Sequence, residues 1–199
     1  KSDSDGNVDM GDFISKLDDT VAGMMITQPS TLGLFDTNIF EVSRMLHEAG
    51  ALLYGDGANM NALLGKIKPR EMGIDVMHIN THKALTTPHG GGGPGAGPVM
   101  ASEKLADFLP NPIVVRDEGT GFYKLAKPVH TIGRLNEWAG NFAVLLRAYA
   151  YIKTMGSEGL REVSQNAILN ANYIRERLRG AYNLPYDRRS MHEVIASAS

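Results

Sequence analysis

The sequence predicts an α/β fold built around a parallel sheet, and three observations predict it. Val21–Thr27, Ala51–Tyr54 and Val76–Ile79 are short continuous apolar runs without strict alternation, the pattern of strands buried on both faces. Between the first two, Ile39, Val42, Met45, Leu46 and Ala49 recur at helical spacing. Strand, helix, strand in this rhythm is the signature of parallel strands joined by crossovers, giving a sheet covered on both sides.

The elements follow in order. Asp9–Leu17 reads as a short helix and Val21–Thr27 as the first strand, followed by a Pro-Ser-Thr turn. The helix near Asn38–Ala49 ends at Gly50, a plausible C-terminal cap. Ala51–Tyr54 and Val76–Ile79 are the next strands, and Pro98–Ser102 is a further candidate. The texture changes after about residue 128, which suggests a division into 1–128 and 129–199. Gly133–Met155 and Glu158–Arg179 are two long helical patterns separated by Gly156-Ser157. Leu160, Val163, Ala167, Leu169–Ala171 and Ile174 mark the apolar face of the second. His192–Ala198 reads as a last strand that stops abruptly, as if the chain were cut inside a domain.

Composition narrows the classes. The chain has 199 residues, 43% hydrophobic and 21% charged, enough to bury a sizeable core. A net charge of -2 offers neither a nucleic-acid nor a membrane surface. The best apolar run, Phe142–Ile152, is interrupted by Arg147 and falls short of the roughly 20 residues that span a bilayer. No targeting segment is visible. The absence of cysteine excludes internal disulfides and thiolate chemistry. The start at Lys1 rather than methionine is compatible with a processed or excised piece.

The chemistry concentrates in Asp75–Val99, DVMHINTHKALTTPHGGGGPGAGPV. Lys83, beside a glycine loop, suits a Schiff base with an aldehyde cofactor if burial lowers its pKa; otherwise it is a solvated surface lysine. Asp56 ends the second strand and is followed by Gly57-Ala58-Asn59. At a strand end in an open α/β sheet it is placed either to pair with a pyridinium nitrogen or to cap a turn. Gly90–Gly93 either cradle an anion and admit a substrate or form a plain loop. Pro88, Pro94 and Pro98 stiffen that loop, and neither a Walker nor a dinucleotide pattern is present. His78, His82 and His89 have spacings that suit metal ligation from a helical face, but the strand-like sequence around them provides no such face. No metal is expected.

These residues carry a family resemblance. The Asp75–Val99 stretch resembles the signature of the pyridoxal-phosphate-dependent glycine decarboxylases, the P-proteins of the glycine cleavage system. It is most similar to the second subunits of the split bacterial form. TQPSTLGLF (Thr27–Phe35), LHEAG (Leu46–Gly50), DGANMNALLG (Asp56–Gly65), ASEKLADFLP (Ala101–Pro110), IGRLNEWAGNFAVLLRAYAYI (Ile132–Ile152) and YDRRSMHEVIAS (Tyr186–Ser197) extend the likeness over nearly the whole chain.

The resemblance implies a fold-type-I (aspartate-aminotransferase-like) pyridoxal-phosphate domain, of which this chain holds the later strands, the linking helices and the start of a small domain. It implies Lys83 as the Schiff-base lysine and Asp56 as partner of the ring nitrogen. His82 falls where related enzymes place a phosphate or active-site contact, and Asn80 and Thr81 serve either the same anchoring or strand-end hydrogen bonding. Ala58 would lie close to the ring and Thr27 near its hydroxyl. His89, Gly90, Gly91 and Gly92 would line the entry for substrate or lipoyl arm. The implied reaction is decarboxylation of glycine with transfer of the aminomethyl group to the lipoylated H-protein. The implied setting is a hetero-oligomer with subunit 1 in a bacterial or archaeal cytoplasm. Family members are about twice this length or more, so a 199-residue piece is expected to be inactive alone. The alternatives are another fold-type-I lyase or aminotransferase, or a non-catalytic structural half.

Overall fold

A computed structural model describes residues 1–135 and 140–198. Helix α1 (Met10–Ile14) starts at Asp9, whose side chain accepts from the Asp12 amide, and it ends sooner than the expected Leu17. Strand β1 (Gly23–Thr27) is followed by helix α2 (Ile39–Glu48), strand β2 (Leu52–Gly57) and strand β3 (Val76–Ile79). The three strands are parallel in the order β1-β2-β3. After helix α3 (Thr81–Ala84), strand β4 (Val99–Ala101) closes the sheet antiparallel to β3, so the sheet is mixed rather than purely parallel. The expected fourth strand is therefore present.

One face of the sheet makes the core. Register places Met24 beside Leu53, Ile26 beside Gly55 and Gly55 beside Met77. Ile26, Leu53 and Met77 pack with Ile39, Val42 and Leu46 of α2, Met72 and Leu63 in one buried cluster. Each such side chain contributes about 1.5–3 kcal/mol by leaving water. Gly50, at φ +79, lets the chain reverse after α2, donating to the His47 carbonyl at 3.0 Å.

The opposite face is not covered, contrary to the expectation of a sheet buried on both sides. Met25 is 64% exposed, and Thr27, Tyr54, Asp56 and His78 are half-buried. These five residues alternate with the core positions along their strands. Leu52 and Val76 share this face and are half-buried as well, so it carries both apolar and polar side chains.

The later part departs further from the sequence reading. Strands β5 (Ile113–Arg116) and β6 (Tyr123–Ala126) form an antiparallel hairpin that was not expected. Asp117 organises its turn by accepting from the Gly119 and Thr120 amides and from Lys124 Nζ at 2.6 Å. Helix α4 (Phe142–Leu178) begins at its cap Asn141 rather than at Gly133. Residues 133–135 are not helical, and 136–139 of the expected helix lie outside the described residues. Gly156, at φ 62 and ψ -173, breaks α4 where the Gly-Ser pair predicted a separation.

The second half of α4 keeps most of its expected apolar face inward, with Leu160, Val163 and Ala167 half-buried, but not all of it. Ser164, Ala171 and Arg175 are buried while Leu169 is 65% exposed and Ile174 is also exposed. The helix crosses close to the chain near Leu64, and Ser164 Oγ donates to the Leu64 carbonyl at 2.9 Å, so small side chains fill the contact. Residues 192–198 form no named strand; Ser197 joins Asn183 in an isolated bridge. The chain is instead pinned upstream, where the Met191 amide donates to the Gly33 carbonyl at 2.6 Å.

Candidate functional site

Parallel register puts Thr27, Asp56 and His78 on one rung across β1, β2 and β3, on the open face near the carboxyl ends of the strands. Asp56 Oδ1 accepts from the Ala58 amide at 2.9 Å and stands 3.3 Å from His78 Nε2. Asp56 Oδ2 has the Thr27 hydroxyl at 3.4 Å. Tyr54, two residues back on β2, places its hydroxyl 2.8 Å from His78 Nδ1. Burial, and then the charge of Asp56, raise the Tyr54 pKa above the ordinary phenol range. Gly57 allows the strands to close at this point: a Cβ there would meet the His78 carbonyl at 2.0 Å.

Asp56 stands at the carboxyl end of β2, one residue before its last, Gly57. The alternative of a turn-capping aspartate is met in part, because Oδ1 does accept from the amide two residues on. The other carboxylate oxygen keeps only the long Thr27 contact.

Beyond β3 the backbone passes through extended Asn80 into the single turn of α3. Lys83 is exposed on that turn, so the burial that the sequence reading required of it does not come from the described residues. Thr81 is buried, donating to the Ala96 carbonyl at 3.1 Å and accepting from the Thr87 hydroxyl at 2.9 Å. Its side chain thus secures the loop that follows, matching the hydrogen-bonding alternative given for it. Asn80 Oδ1 and His82 Nδ1 are buried polar atoms without hydrogen-bond partners. The rings of His82 and His89 meet edge to face at 4.6 Å. Burial, with lesser pushes from His89 and Lys83, lowers the His82 pKa.

Gly90, Gly91 and Gly92 form one exposed turn with positive φ at all three. Nothing stands within 4 Å of a Cβ built at Gly91 or Gly92, so their backbone is open to approach. The loop is held from behind: Asn141 Nδ2 donates to the Pro94 carbonyl at 3.1 Å and Arg147 Nε to the Thr86 carbonyl at 2.7 Å. Ala58 follows Asp56 by two residues and is half-buried. Among the described residues no three His, Asp or Glu side chains are grouped to hold a metal ion. No described helix is long and apolar enough to cross a membrane.

Three residues of this region stand in surroundings that the sequence reading did not anticipate. Tyr54 and His78 become visible only once the strand register is known, because their partnership with Asp56 is set by alternation and pairing. His192 is the third. Its side chain is 4% exposed and neither ring nitrogen has a hydrogen-bond partner. Glu193 Oε1 stands 3.1 Å from Nε2 but off the line a hydrogen bond needs. The sequence treated His192 as the start of a strand, so no signal pointed to it.

Comparison with known proteins places this geometry in context. The family model described as aminotransferase class-V matches residues 1–110. The chain is 51% identical, over 98% of its length, to the probable glycine dehydrogenase (decarboxylating) subunit 2 of Caldanaerobacter subterraneus subsp. tengcongensis. It is 53% identical over 99% to the protein of the same name from Chlorobium chlorochromatii. It spans 40% and 41% of those two relatives. Among solved structures, the apo cysteine desulfurase from Thermococcus onnurineus NA1 superimposes with a TM-score of 0.69 at 18% identity, covering 96% of this chain and 48% of that one. The sphingosine-1-phosphate lyase of Burkholderia pseudomallei K96243 follows at 0.64 and 17%, covering 89% and 40%. The chain therefore has the fold-type-I architecture of these enzymes.

Proposed function

Because the chain belongs to the aminotransferase class-V family, we propose that it is the lysine-bearing part of a pyridoxal-phosphate enzyme that decarboxylates glycine. The aminomethyl group passes to the lipoyl arm of the H-protein. The reading rests on one observation above the others: Asp56 and Lys83 stand at the carboxyl-end side of adjacent parallel strands. It is supported by the roughly half-identical relatives that bear the glycine dehydrogenase name.

The residues present fit the group. Asp56 offers a carboxylate on an open sheet face with one oxygen sparsely engaged. The orphaned Asn80 Oδ1 and His82 Nδ1 flank the lysine turn, and the Gly91–Gly92 backbone is unobstructed. When bound, pyridoxal phosphate supplies the electron sink for the pair left as glycine loses carbon dioxide. Lys83 anchors it through its amine. Asp56 holds the proton of the ring nitrogen by a charge-assisted hydrogen bond. Thr27 and Ala58 border the ring, while His82 and Asn80 contribute to anchoring. His89 and Gly90–Gly92 border the entry for glycine and the lipoyl arm. Released Lys83 is the nearest base or acid for proton transfer.

Residues 1–128 form part of the large domain and 129–199 the linking helices and the start of the small one. The relatives' designation as subunit 2 supports a partner subunit in a hetero-oligomer, and the bacterial relatives support a cytoplasmic setting. The 199-residue chain alone does not turn over glycine. Borohydride reduction of the cofactor-loaded full-length protein, with peptide mapping, is expected to leave a pyridoxyl adduct on Lys83. An adduct elsewhere, or none, refutes the assignment. Carbon dioxide release from glycine, compared with that from other amino acids, tests the substrate.

A further inference from the structure

We propose that Tyr54 and His78 are positioning residues: the Tyr54 hydroxyl holds the His78 ring, whose Nε2 edge stands against Asp56 Oδ1, so that Oδ2 is the carboxylate oxygen left to the ring nitrogen of the cofactor. The inference rests on the reading of Asp56 given above and extends it to two side chains that nothing else in the site employs.

This relay of contacts runs along the open face of the sheet. The Tyr54 hydroxyl lies 2.8 Å from His78 Nδ1, and His78 Nε2 lies 3.3 Å from Asp56 Oδ1. A neutral imidazole carries one hydrogen. Placed on Nδ1, that hydrogen would leave the bare Nε2 lone pair facing a carboxylate. Placed on Nε2, it faces Asp56 while Nδ1 accepts from the Tyr54 hydroxyl. A protonated ring presents the same N–H and adds a positive charge. In either form Asp56 Oδ1 accepts from the Ala58 amide at 2.9 Å and has the His78 Nε2 edge against it at 3.3 Å, off the line of a full hydrogen bond.

The two carboxylate oxygens are therefore unequal. Oδ1 is held by the chain's own backbone and stands against the His78 edge, whereas Oδ2 has only the Thr27 hydroxyl at 3.4 Å, a distance at which little is committed. The carboxylate is fixed in rotation by one edge and left available on the other. That is how a preorganised group binds a planar cation without reorganising. His78 is a rung partner of Asp56 and Tyr54 lies two rungs back on the same face, so all three are set by regular sheet geometry rather than by a loop.

The experiment uses the full-length protein loaded with pyridoxal phosphate isotope-labelled at the ring nitrogen. Two readouts are taken: the ring-nitrogen magnetic resonance, which reports its protonation, and the cofactor dissociation constant. His78→Leu is expected to move the resonance toward the unprotonated position and to weaken cofactor binding about tenfold, as loss of a polar contact to a charged group does. Tyr54→Phe is expected to do the same to a lesser degree, about threefold in binding. His78→Gln, which has both a donor and an acceptor, is expected to restore native values. Asp56→Asn is the reference. If it shifts the resonance while His78→Leu and Tyr54→Phe leave both readouts native, the relay is refuted and the Asp56 assignment stands. If Asp56→Asn itself leaves the resonance unchanged, the assignment fails and the relay with it. Should His78→Leu not fold, Tyr54→Phe removes a single oxygen and decides alone: native readouts overturn the proposal.

Discussion

Burial pushes the His192 imidazole below its ordinary range, and the positive charge of Lys83 adds to that push while Glu193 opposes it. A lowered folded-state pKa means the unfolded chain takes up the proton more readily. The neutral ring thus contributes stability above the unfolded value of about 6.5 and loses it as pH falls from there toward the folded value. The thermal midpoint is expected to drop on acidification from about pH 7 to about pH 5, with part of that drop abolished in His192→Gln. Identical pH slopes for the two proteins would show that His192 is not responsible. His82 shifts the same way and accounts for part of the remaining slope. At this scale the sequence was uneven. Lys83 and Asp56 stand out because a lysine before glycines and an aspartate at a strand end are local patterns. His192 and the Tyr54–His78 pair do not, because burial and cross-strand partnership are properties of the assembled sheet.

Elements with strong local periodicity were legible, and those shaped by contacts were not. Strand β3 runs over the residues its apolar run predicts, and α2 differs by one residue at each end. The β5–β6 hairpin was missed because Val114, Tyr123 and Leu125 are exposed, leaving no clean alternation to read. The face of α4 was read in part: Val163, Ala167 and Ala171 turn inward as expected, whereas close packing buries Ser164 and leaves Leu169 and Ile174 exposed. Backbone demands at three positions lead to tests. Gly156 holds a conformation reserved almost wholly for glycine, so Gly156→Ala is expected to cost about 1–3 kcal/mol by denaturant unfolding. Gly57→Ala would drive a Cβ into the His78 carbonyl; about 2–3 kcal/mol of destabilisation and impaired cofactor binding are expected together. Asn141 both caps α4, accepting from the Val144 amide at 3.3 Å, and holds the Pro94 carbonyl. Asn141→Ala is expected to cost about 1 kcal/mol and to speed amide exchange in the glycine loop. Unchanged exchange there would separate the cap from the loop.

Across the whole molecule, apolar surface is distributed unevenly between a tight core and bare outer faces. Val114, Tyr123 and Leu125 are each more than 60% exposed and share one face of the β5–β6 hairpin, the kind of contiguous apolar patch that seeks a partner. The 199-residue chain is therefore expected to bind an environment-sensitive apolar dye and to self-associate by light scattering. A monomer that ignores the dye would count against this. The class of fold was legible at this scale because a parallel sheet imposes its rhythm on the chain. The bare second face was not, since continuous apolar runs look alike whether one or both sides are covered. The rung of Thr27, Asp56 and His78 carries one more consequence, for folding. If any of the three strands paired one residue out of step, its polar member would swing to the core side and the trio would be broken. On the proposed role of Asp56, a cofactor bound there would favour chains whose three strands have docked in step, because only they present the complete trio.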